Sequence, residues 1–181
     1  MSYESYYWRK IIKRDIRYLE NKLKLKHKDI EDNLEEHSSN VEIKFMTLSY
    51  VARKLADSHK LPDKTLEKKI KTVVYSRSKK ARRVFGSIDK EYDFETFSVG
   101  EIKMRDLCNQ VIHSYVLESS GTTRRAFRYL LFVSDRAKDN GLNQVDMKDF
   151  IKVMKQVAES YVTSFNSEYD SGKEEWTYEK F

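Results

Sequence analysis

The chain has one cysteine, one proline, five glycines and no long apolar run. A lone cysteine excludes an internal disulfide, and with only four scattered histidines it excludes a cysteine-rich zinc site. The compartment this implies is a reducing one, the cytoplasm. Scarce proline and glycine leave few places to break a helix, which favours an α-rich chain. No stretch is long enough to span a bilayer, and the first ten residues lack the apolar centre of a signal peptide. No pattern asks for a metal or a cofactor, and no membrane association is expected.

What is present is charge and aromatic surface. Charged residues make up 35% of the chain and hydrophobic residues 39%, a balance that supports a packed core under a polar shell. The length of 181 residues fits one domain, taken as residues 1–165, followed by an acidic aromatic tail at 166–181. The net charge of +6 is unevenly spread. Residues 68–83 hold eight Lys or Arg and no acid, whereas residues 166–181 hold five acids against two Lys. The basic run (Lys68, Lys69, Lys71, Arg77, Lys79, Lys80, Arg82 and Arg83) can attract a polyanion by counterion release, with Tyr75 available to stack on a base. A solvated loop balanced by acids folded against it remains the alternative.

Apolar spacing predicts a first helix over residues 3–26, with Trp8, Ile12, Ile16, Leu19 and Leu23 on one stripe. Ser39 and Glu42 read as a capping box opening a second helix, whose inner face is Val41, Phe45, Leu48, Ala52 and Leu55. Thr72-Val73-Val74-Tyr75 has strand character. Ser98 and Glu101 read as a second capping box, opening a helix that fades near Glu118. Asn140-Gly141 lies between the apolar runs 127–133 and 142–145 and signals a hairpin, with a helix over 124–136 as the other reading. Asp146 can cap a last helix that turns Phe150, Ile151, Met154, Val157, Ala158 and Tyr161 inward. The fold class expected is mainly α, an up-and-down bundle of four or more helices with a small β-hairpin.

Within the third long helix, Arg105, Asn109 and His113 recur every four residues as a polar stripe beside an apolar arc of Met104, Leu107, Cys108, Val111 and Tyr115. His113 can serve as general acid or base, Asn109 can orient it, and Arg105 can neutralise an anionic oxygen. Asn109 and His113 satisfying one another inside the bundle is the competing reading.

Cys108-Asn109-Gln110-Val111-Ile112-His113-Ser114-Tyr115 resembles the Arg-x4-His signature of the HEPN superfamily, with Asn109, His113 and Tyr115 on motif positions and Cys108 where the Arg would stand. The resemblance implies a small helical bundle, a homodimer and a place in a toxin–antitoxin or antiviral defence system. It also implies RNA as partner and metal-independent endoribonuclease chemistry, with Cys108 marking a degenerate member. Tyr115 would then join the RNA-binding residues. Two other functions stay open: a non-enzymatic antitoxin-like or accessory subunit with a protein partner, and a structural bundle with no active site.

Overall fold

The computed structural model describes residues 3–78, 88–162, 165–170 and 175–180. Helix α1, Tyr3–Lys22, buries Ile12, Ile16 and Leu19, the centre of the stripe read from the sequence. Helix α2, Leu34–Asp57, buries Val41, Phe45, Leu48, Ala52 and Leu55 as expected, yet it begins ahead of Ser39. Glu42 does not close a capping box there. Its carboxylate accepts instead from the distant Ser119 N–H at 3.1 Å. A short helix α3, Asp63–Leu66, follows Pro62.

From this point the chain departs from the expected bundle. Strands β1, Lys69–Arg77, and β2, Tyr92–Lys103, form an antiparallel hairpin. Helix α4, Met104–Ile112, leads directly into β3, Ser114–Thr122, β4, Arg125–Ser134, and β5, Leu142–Asp146. The five strands make one antiparallel sheet in the order β2-β1-β5-β4-β3, so the architecture is mixed α and β rather than mainly α. Helix α5, Met147–Glu159, closes this unit. The acidic tail pairs with itself as a hairpin of β6, Phe165–Asp170, and β7, Glu175–Lys180.

The sheet is possible because β4 alternates. Leu130 and Phe132 join the main core with α1, α2, α4 and α5, while Leu131 and Val133 join a smaller cluster with Tyr92, Val116 and Leu142. Both faces of this strand are therefore apolar, the pattern of a strand buried on two sides. The Asn-Gly signal marks a real β4–β5 pairing, although the connection is longer than a two-residue turn. Gly141 sits there at φ 121, and a Cβ on it would stand 2.6 Å from the Tyr75 carbonyl oxygen.

The capping box read at Ser98 and Glu101 is a strand instead. In β2 only Tyr92 and Ile102 are buried, so the strand shows no period-2 signature. The helical period also overran α4, because Tyr115 falls in phase with its apolar arc although the chain has already turned into β3. The five-stranded sheet overturns the HEPN-like helical bundle, and with it the inheritance of that family's fold.

Candidate nucleic-acid interface

The polar stripe survives only in part. Helix α4 ends at Ile112, and His113 is its C-cap, with its N–H bonded to the Asn109 carbonyl at 3.1 Å. At the other end of the helix, Arg105 Nε donates to Glu67 at 3.3 Å, and Lys103 holds the same carboxylate at 2.7 Å. Those two cations, Lys103 foremost, keep the Glu67 carboxyl below its ordinary range. Arg105 is thus drawn away from His113. Asn109 and His113 do meet, in an open cleft of about 790 Å³ shared with Arg53, Gln110, Ser134 and Arg136. Arg53 donates to Asn109 Oδ1 and to Asp57 at 3.2 Å. Arg53 was not legible in advance: it follows the buried Ala52 on α2, and no local pattern marks it.

Cys108 is fully buried, and burial pushes its thiol up to about 12, which leaves it without thiolate reactivity at neutral pH. Tyr115 is built into the sheet, its hydroxyl donating to the buried Glu91 at 3.0 Å. Among the described residues, no group of three or more His, Cys, Asp or Glu is placed to hold a metal ion.

The basic run also divides. Arg77 is engaged by Asp139 and lies 3.9 Å from Glu91, and Lys69 lies 3.7 Å from Glu101. Lys79, Lys80, Arg82 and Arg83 fall outside the described residues. Lys68, Lys69 and Lys71, however, line a cleft of about 600 Å³ between β1 and α5 that also contains Lys152, Glu101 and Asp149. A second cleft of about 660 Å³, between α1 and α5, is lined by Arg17, Lys24, Arg125, Lys148, Lys152 and Lys155 with Glu20. Lys152 belongs to both. Nine Lys or Arg against three carboxylates leave +6 across the two clefts, the net charge of the entire chain.

The local sequence explains how these cations come together. Asp146 caps α5, its side chain accepting from the Lys148 N–H at 2.9 Å. Spacings of four and three then place Lys148, Lys152 and Lys155 along one exposed face, away from the buried Phe150, Met154 and Val157. Arg125 donates to the Lys24 carbonyl at 2.8 Å, pinning the start of β4 to the end of α1 and closing one side of the cleft. The lysine face of α5 was readable from its spacing; the arrival of Arg17, Lys24 and Arg125 beside it required the tertiary fold.

Beside Lys71, the β1–β2 hairpin exposes aromatic surface. Lys71, Val73 and Tyr75 share one face of β1 by alternation, and Tyr75 pairs with Phe97 of β2, which is 57% exposed. The two rings are 6.2 Å apart, and Phe94 lies 4.7 Å from Tyr75. No helix among the described residues is long and apolar enough to cross a membrane. No family model, curated protein or solved structure matches the chain.

Proposed function

We propose that the protein binds single-stranded RNA, holding the phosphate backbone in the two clefts that flank α5. The observation that carries this reading is the gathering of the chain's whole net charge into those clefts. Such a concentration of cations raises the local density of phosphate groups and releases condensed counterions when a strand enters. Arg17, Lys71, Lys148 and Lys152 have no acidic partner within salt-bridge distance among the described residues, so their charge is available to a ligand.

The exposed rings favour a single strand over a duplex. Phe97 and Tyr75 lie about 13 Å along the hairpin from Lys71, at roughly 3.3 Å per residue, within reach of unstacked bases whose backbone crosses the lysines. The test is fluorescence anisotropy with a labelled oligoribonucleotide. Lys152→Glu, at the residue both clefts share, is expected to weaken binding at least tenfold while leaving the thermal midpoint within a few degrees of the wild type. Unchanged affinity in that variant contradicts the reading. Equal affinity for DNA of the same sequence would widen the ligand to either sugar.

A further inference from the structure

We propose that the cleft at the C-terminal end of α4 is a binding site for a small phosphate monoester, independent of the clefts that flank α5. Its walls leave several hydrogen-bonding groups unused. A guanidinium has no acceptor, so the Arg53–Asn109 contact must use the Asn109 amide oxygen. The Asn109 NH2 is left as a donor. Asn143, which is almost fully buried, donates its own amide to Gln110 Oε1 at 3.2 Å, and the Gln110 NH2 is left over in the same way. Ser114 and Ser134 face one another across the β3–β4 pair and bring two hydroxyls to the same cleft.

The His113 imidazole and the Arg136 guanidinium add cationic or donor character, and neither has an acidic partner among the described residues. Asp135 is the one carboxylate in the lining among the described residues, and Lys138 holds it at 2.7 Å. The carbonyl end of α4 points here and opposes an anion; Arg136 offsets it, since the charge of Arg53 is already balanced by Asp57 at 3.2 Å. Two oriented amides, two hydroxyls, an imidazole and the Arg136 guanidinium offer many donors and few acceptors, while Arg53 is committed to Asn109 and Asp57. Their complement is a ligand that only accepts and carries charge, which is the chemistry of a phosphate. A cleft of about 790 Å³ is roomier than a phosphate ion alone, so the organic part of an ester can be seated with it.

Protein-observed NMR of the full chain, titrated with inorganic phosphate and then methyl phosphate at constant ionic strength, tests this. Saturable shifts of the Asn109 and Gln110 side-chain amides are expected with both probes. Arg136→Gln, at an exposed position, is expected to weaken both affinities at least tenfold. The triple variant Lys148→Gln, Lys152→Gln, Lys155→Gln should leave them unchanged while impairing RNA binding, so the two readings fail separately. Shifts confined to the lysines of α5, wild-type affinity in Arg136→Gln, or binding of inorganic phosphate without methyl phosphate would each overturn the assignment.

Discussion

Gly141 shows how much one atom can decide in this sheet. Its φ of 121 and the Tyr75 carbonyl oxygen 2.6 Å from a hypothetical Cβ leave no room for a side chain. Gly141→Ala is expected to lower stability by about 1–3 kcal/mol in denaturant unfolding, the usual cost of forcing such a backbone conformation. Glu42 carries a different signature. Burial pushes its carboxyl above the ordinary 4.5, against the pull of the Ser119 N–H. The folded state therefore keeps this proton longer than the unfolded chain does. The stability it contributes is complete below about pH 4.5 and is lost as pH rises through the raised value. Glu42→Gln should accordingly gain on the wild type, in thermal midpoint, as pH climbs from 4 to 7; a constant difference across that range would contradict the assignment. Residue-scale signals were legible where their partner is local. Asp146 was readable because its cap partner is the Lys148 N–H two residues on. Glu42 was not, since its bond to Ser119 spans 77 residues and outcompetes a plausible local box.

At the scale of elements, the helices with one buried stripe were readable and the strands without alternation were not. In α1, α2 and α5, apolar residues every three or four positions describe the buried face directly, except for Tyr161, which lies past the end of α5 and is exposed rather than turned inward. The strands β1, β4 and β5 announced themselves through branched and aromatic residues and an Asn-Gly signal. By contrast β2 is an edge strand exposed almost throughout, and β3 continues the helical phase of α4 by coincidence of Tyr115. The His113 stripe failed for the same reason: its third member lies past the end of its helix. The β1–β2 hairpin nonetheless gains a role from its exposure. Phe97→Ala removes a ring that is 57% exposed, so the fold should tolerate it. RNA affinity should fall about five- to 150-fold, the range expected when one base loses an aromatic partner worth about 1–3 kcal/mol. Anisotropy with the same oligoribonucleotide reads this out, and an unaltered affinity would remove the hairpin from the interface.

For the molecule as a whole, linear charge was a poor guide to surface charge. The basic run singled out in the sequence contributes Lys68, Lys69 and Lys71 to one cleft, while its Arg77 is neutralised by Asp139 and Glu91. The remaining cations arrive from α1, β4 and α5, brought together by a sheet that spacing alone did not reveal. Whether this assembled field holds a phosphate backbone is read from the salt dependence of RNA binding. If roughly four to six phosphates are neutralised, log K should fall with log salt at a slope of about −3 to −4, as for single strands generally. The triple variant Lys148→Gln, Lys152→Gln, Lys155→Gln should flatten that slope by about 1.4, close to 0.7 for each of Lys148 and Lys152, because Lys155 is already paired with Glu20 at 2.8 Å. Wild-type binding that is indifferent to salt, or a triple variant with an unaltered slope, would rule out phosphate binding by these clefts.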